Sequence, residues 1–162
     1  MRTIKFRGKK VTNGVWAYGS LVYLDENGAA IYVQTGNGSA MVMDLVYVAP
    51  DTVCQFTGFL DKNGKEIYEG DVLRSDEYPY SCIGDKKRDN YYAVVYYCEE
   101  GACFGTVTVK NPNSDVGGIS DGILDDVERE KMQDFEVIGN VYDPEWKQYR
   151  EYIQDEDEEQ HQ

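Results

Sequence analysis

The sequence predicts a small, mainly β protein, a barrel or sandwich of short strands, with an N-terminal β region and a short C-terminal helix. Apolar and polar residues alternate with a period of two, glycine- and asparagine-rich turns interrupt the alternation at short intervals, and strand-forming aromatic and β-branched residues are abundant. Fourteen tyrosines against five phenylalanines suit rings that lie half-buried on strands with their hydroxyls in water. The chain has 162 residues, 41% of them hydrophobic, which is enough for a packed core.

The alternation opens at Thr3-Ile4-Lys5-Phe6-Arg7 and stops at Gly8 and the Thr12-Asn13-Gly14 turn. Val15 to Tyr18 and Leu21 to Leu24 read as strand, and Asp25-Glu26-Asn27-Gly28 turns the chain into Ile31-Tyr32-Val33 as a hairpin. Gly36 to Ser39 is a loop, and Met41 to Val48 a returning strand. Pro50 cannot donate to a ladder, so Ala49 to Thr52 ends a first region, taken as residues 1–50. A second region, 51–153, begins with Val53 to Thr57.

The strongest turn is Asp61 to Glu66, where Asn63-Gly64 suits the positive φ angles of a type I′ hairpin. Glu69-Gly70-Asp71 is a second bend, between Ile67-Tyr68 and Val72-Leu73. Ser75 to Asn90 reads as an extended polar loop or insertion. Tyr91 to Cys98 and Cys103 to Lys110 form a hairpin pattern around Glu99-Glu100-Gly101. Asn111 to Asp121 is loop-like, Ile123 to Met132 suits a short charged helix, and Phe135 to Tyr142 is a strand interrupted by Gly139. Pro144 to Ile153 reads as a terminal helix capped by Asp143, and 154–162 as a disordered acidic tail. The apolar phases nominate a core of Phe6, Trp16, Phe56, Phe59, Ile67, Val72, Val95, Val107, Val137 and Ile138.

Thirty acidic and 16 basic residues give a net charge of −14, which predicts no direct nucleic-acid binding and no attraction to anionic membranes. No apolar run reaches the roughly 20 residues that span a bilayer, and Met1 to Lys10 lacks the core of a signal peptide, so a cytoplasmic location is expected. In that compartment Cys54, Cys82, Cys98 and Cys103 are expected as thiols. Cys98 and Cys103 are too far apart for a zinc knuckle, and the single histidine, His161, lies in the tail, so no zinc is expected.

No phosphate-binding loop is present, and no nucleophile has a histidine to pair with outside the tail. Glu66, Glu69 and Asp71 cluster around the bends, where carboxylates ordinarily bond backbone amides, so no catalytic pair is assigned to them. Tyr91, Tyr92, Tyr96 and Tyr97 suit core packing or a protein interface better than base stacking in so acidic a chain. No cofactor is implied.

The run from Thr57 to Leu73, Thr57-Gly58-Phe59-Leu60-Asp61-Lys62-Asn63-Gly64-Lys65-Glu66-Ile67-Tyr68-Glu69-Gly70-Asp71-Val72-Leu73, resembles the signature of the YopX-like family. Ile4 to Arg7, Trp16 to Gly19 and Val137-Ile138-Gly139-Asn140-Val141-Tyr142 match in the same order, while Cys54 stands where the family commonly has glycine. The resemblance implies an SH3-like barrel in the C-terminal half and carriage by phages, prophages and other mobile elements. It implies no activity and no catalytic residue. The signature positions Thr57, Gly58, Asp61, Gly64, Ile67, Tyr68, Glu69, Gly70, Asp71, Val72, Ile138, Gly139 and Asn140 are therefore expected to be structural. The expected function is that of an accessory protein-interaction module with an unidentified partner, self-association being one possibility. Its rivals are an acidic mimic of DNA that inhibits a nucleic-acid-binding host protein, and a carboxylate-based, metal-dependent enzyme.

Overall fold

Period-two sequence becomes eleven strands in the structure, a computed structural model that describes residues 3–25, 28–35, 42–76, 91–110, 119–123 and 134–153. The chain divides into two units, Met1–Gly58 and Phe59–Gln162. Unit 1 holds β1 (Phe6–Lys9), β2 (Trp16–Asp25), β3 (Gly28–Thr35), β4 (Val42–Val48) and most of β5 (Cys54–Leu60), in the antiparallel order β4-β3-β2-β1-β5. The sheet curls so far that the end of β4 meets the end of β1, with a bridge between Lys10 and Val48 and a bond from the Ala49 amide to the Lys9 carbonyl. The 3-10 turn Pro50–Thr52 fixes that corner, as Thr52 Oγ1 accepts from the Lys9 amide at 2.9 Å and donates to the Ala49 carbonyl at 2.7 Å.

Curling leaves little room on the inner face, and the sequence supplies small residues there. Ala17, Ala29, Ile31 and Val48 form the buried core, with Phe6, Leu21, Val33, Val46 and Val53 half-buried around it. A Cβ on Gly8 would stand 2.8 Å from a methyl of Val48, and one on Gly19 would run into the Tyr32 carbonyl. Strand alternation then sends the partners of these residues outward.

Unit 2 contains β6 (Glu66–Tyr68), β7 (Asp71–Ser75), β8 (Tyr91–Cys98), β9 (Cys103–Lys110), β10 (Ile119–Ile123) and β11 (Glu136–Asn140). Five of these make an antiparallel sheet in the order β10-β9-β8-β7-β11. Its strands are apolar on both phases, as in Val72-Leu73 and Ala93-Val94-Val95, because both faces are covered. Phe59, Ile67, Leu73, Ala93, Val95, Phe104, Phe135 and Val137 pack on one face. Val72, Val94 and Val141 pack on the other, flanked by Tyr92, Trp146, Tyr149 and Ile153. Among the described residues this sheet does not close into a barrel.

The mainly β expectation holds, and several details change. Of the nominated core, Phe56, Phe59, Ile67, Val72, Val95, Val107 and Val137 are buried. Phe6, Trp16 and Ile138 are only half-buried: Trp16 faces outward beneath cations, and Ile138 sits in a bulge of β11, where pairing skips from Val137 to Gly139. The turn at Asn63-Gly64 is not type I′. Only Gly64 has positive φ (+78°), and its amide bonds the Asp61 carbonyl at 2.9 Å, which is a type I turn followed by a left-handed glycine. The expected terminal helix is present as a 3-10 helix over Lys147–Ile153, starting three residues after Pro144. Asp143 does not cap it, since its carboxylate reaches back to accept from the Asn140 amide at 3.0 Å. The loop assigned to Asn111–Asp121 gives way to β10 from Ile119 onward. Ile123, where a short helix over Ile123–Met132 is expected, ends β10, and residues 77–90, the rest of that helix and the tail from 154 lie outside the described residues.

Candidate functional site

Two buried aspartates organise the signature bends. Asp61 is 4% exposed and accepts three backbone amides: Asn63 at 2.7 Å and Lys65 at 2.9 Å on Oδ1, and Val137 at 3.0 Å on Oδ2. One carboxylate thus shapes its own turn and ties it to β11, 76 residues away in sequence. Burial works to raise its pKa, but the bonds from Val137, Lys65 and Asn63 and the charge of Lys65 outweigh it and hold the carboxyl below its ordinary value.

Asp71, 1% exposed, does the same for the second bend. It accepts from the Tyr68 amide at 2.8 Å and from the Asn140 side-chain amide at 3.3 Å, while Asn140 Oδ1 accepts from the Tyr142 amide at 3.0 Å. Gly70, at φ +73°, bonds Val95 and Val141 through its amide and carbonyl. Gly139 lies so close under Trp146 that a Cβ would collide with the indole. Ile67, Tyr68 and Val72 are buried beside these bonds, Thr57 is buried on β5, and Gly58 (φ +94°) ends unit 1. Glu69 is half-buried, and Glu66 accepts from the Tyr68 hydroxyl at 2.8 Å. Asp61 and Asp71 thus both serve backbone amides at the bends. Glu136 adds a partly exposed cluster: Lys62, bonded to it at 3.1 Å, and Arg74, at 2.7 Å, hold its carboxyl below its ordinary value.

The tyrosines of β8 do not form one platform. Tyr91 is buried, Tyr96 lies over Gly105, and Tyr97 packs edge-on against Phe104 at 5.2 Å on the opposite face from Tyr96.

A continuous exposed surface appears elsewhere, on the outer face of unit 1. The registers place Arg7 opposite Tyr18, Lys9 opposite Trp16, Ser20 opposite Tyr32, Tyr32 opposite Leu45, Gln34 opposite Met43 and Ala30 opposite Tyr47. Tyr18, Tyr32, Tyr47, Met43 and Leu45 are all exposed, Tyr47 to 58% and Met43 to 60%. Tyr18, Tyr32 and Tyr47 run diagonally over three strands, with diagonal neighbours about 7–8 Å apart. Beside them Lys9 lies 5.2 Å from the ring centre of Trp16 and Lys5 5.9 Å from that of Tyr18, both half-buried, while Arg7, only 4% exposed, is enclosed 4.5 Å from the Trp16 ring centre.

Among the described side chains of this face none is a carboxylate, while Asp44, exposed, stands on the other phase of β4 opposite Val33. Unit 1 carries five basic and four acidic residues, which leaves eleven basic and twenty-six acidic ones for unit 2. The charge of the chain is segregated. Sequence reasoning missed this face because it searched for motifs, yet a signal was present: in Val42 to Val48 and Ala29 to Val33 both phases are rich in apolar residues, although only one can face so small a core.

Among the described residues, no helix is long and apolar enough to cross a membrane. No curated protein matches the chain. Among solved structures it is similar to protein EF1440 from Enterococcus faecalis, with 16% identity, a TM-score of 0.45, and coverage of 87% of this chain and 94% of that one. The family model described as YopX protein matches residues 5–145, a span that contains the signature bends, β11 and the outer face of unit 1, and the chain belongs to the YopX family.

Proposed function

We propose that the protein is a non-catalytic binding module that docks an acidic protein surface on the outer face of unit 1. The observation that carries this reading is the exposed array of Tyr18, Tyr32, Tyr47, Met43 and Leu45 edged by the half-buried Lys5 and Lys9, in a chain of net charge −14. Tyrosine, tryptophan, methionine and arginine are the side chains enriched in protein interfaces, and aliphatic Leu45 and Met43 suit a protein partner better than stacked bases. The cations at the edge supply charge complementarity, which sets partner choice and association rate. Resemblance within the family supports a phage or mobile-element accessory protein working in the bacterial cytoplasm. The same resemblance, with the short antiparallel strands of unit 2, supports reading that unit as SH3-like.

Cross-linking and affinity capture from cells expressing the full chain tests the reading, with wild type beside a Tyr32→Ser/Tyr47→Ser variant. Both rings are exposed, so the variant keeps its melting temperature. Loss of such anchors weakens an interface by about 2 kcal/mol or more, roughly 30-fold in Kd. A partner that the variant retains at full strength refutes the assignment of this face. A second reading draws on the twenty-six acidic residues of unit 2: that unit acts as a polyanion occupying the groove of a nucleic-acid-binding protein. In that case the captured partner is basic, and the tyrosine variant still binds it.

A further inference from the structure

We propose that Cys98 and Cys103 form a dithiol site that a small-molecule disulfide oxidises to an intramolecular disulfide across the end of the β8–β9 hairpin. The two residues are direct cross-strand partners, the last pair before the turn. Such partners have Cα atoms about 4.5–5.5 Å apart, inside the 4.4–6.8 Å range of disulfides. The side chains converge as well. The thiols share a hydrogen bond, and a Cβ placed on Gly101 would meet Cys103 Sγ at 2.9 Å and Cys98 Sγ at 3.5 Å. Both cysteines are half-buried and within reach of a small reagent, whereas Cys54 is fully buried.

The turn holds this pairing in place. The Ala102 amide bonds the Glu99 carbonyl at 3.1 Å, and Ala102 takes the left-handed conformation (φ +49°) that brings Cys103 back opposite Cys98. Desolvation, then the neighbouring Cys98 sulfur, push the Cys103 thiol above its ordinary value, which lowers its thiolate fraction and slows the closing step. In the first step the Cys98 thiolate attacks one sulfur of the small disulfide, whose S–S bond breaks and releases one thiol. In the second, the Cys103 thiolate attacks Cys98 Sγ, the mixed disulfide breaks, and the second small thiol leaves. Two protein thiols are oxidised, one disulfide is reduced to two thiols, and the two protons leave on them.

Titration of the full chain with mixtures of reduced and oxidised glutathione, quenched with acid, alkylated and peptide-mapped, tests the site. The expected product of wild type has lost two hydrogens and is linked between Cys98 and Cys103, while Cys98→Ser stops at a glutathione adduct on Cys103. Accumulation of glutathione adducts on wild type without closure, or a disulfide that includes Cys54 or Cys82, overturns the proposal. A trivalent arsenical that bridges two thiols gives a second readout without oxidation. Wild type retains one equivalent against a competing monothiol, and Cys98→Ser and Cys103→Ser both release it. Release by wild type as well means that the sulfurs do not converge, and the proposal fails.

Discussion

At the scale of single residues, two buried aspartates do the work that a sequence reader would assign to glycine turns alone. Asp61 collects three amides, and an asparagine there places an NH2 against at least one N–H donor. Asp61→Asn should therefore cost about 1–3 kcal/mol in urea unfolding, against roughly 0.5 or less for an exposed control such as Glu100→Gln. The sign of the pH effect follows from the lowered pKa. The unfolded chain takes up the Asp61 proton first as pH falls, so the stabilisation is fully present above the ordinary carboxylate value of about 4 and is lost as pH drops through the folded value. Asp61→Asn should flatten the acid limb of the stability curve. An unchanged acid limb would mean that other carboxylates dominate it. The turn itself was legible as a turn, but its type was not, because Asn63-Gly64 favours type I′ locally while Asp61 imposes type I through bonds to Asn63 and Lys65.

Elements show the limit of legibility more sharply. Strand positions were readable because period-two alternation survives in any register. Which phase faces inward was not readable for β2, since Trp16 and Ala17 compete and size favours the tryptophan for the core. The curl of the sheet reverses that choice: the inner face has space for Ala17, Ala29 and Gly8, and Trp16 goes outside under Arg7 and Lys9. If the inner face is as tight as Gly8 against Val48 indicates, Gly8→Ala should destabilise unit 1 by about 1–3 kcal/mol through overpacking. Adding Val48→Ala should recover part of that loss, a coupling that a double-mutant cycle measures directly. Additive losses would show that Gly8 is needed for some reason other than the contact with Val48. Gly139 is the corresponding contact in unit 2, where the indole of Trp146 lies on it. The 3-10 helix Lys147–Ile153, which carries Tyr149 and Tyr152 just after Trp146, begins three residues later than the sequence suggests, because Pro144 after Asp143 imitates a helix start while the Asp143 carboxylate is turned back to Asn140.

For the molecule as a whole, the segregation of charge has a thermodynamic consequence that net charge hides. Unit 1 is close to neutral, with five basic and four acidic residues, and unit 2 has an excess of fifteen negative charges. Self-repulsion opposes the compact state, and salt relieves it as the screening length shrinks from about 30 Å at 0.01 M to about 10 Å at 0.1 M. Each unit contains one tryptophan, Trp16 in the first and Trp146 in the second, so single-tryptophan variants report the units separately. With Trp16→Phe, the Trp146 signal should melt several degrees higher at 0.1 M salt than at 0.01 M, the shift that about 1 kcal/mol produces in a unit of this size. With Trp146→Phe, the Trp16 signal should move much less. Deleting residues 154–162, which carry five of the twenty-six acidic residues, should lessen the salt response of the Trp146 signal in proportion. It should leave the Trp16 signal where it was. Equal salt shifts at both tryptophans would show that the units melt as one cooperative block, and the charge imbalance would then act on the whole fold.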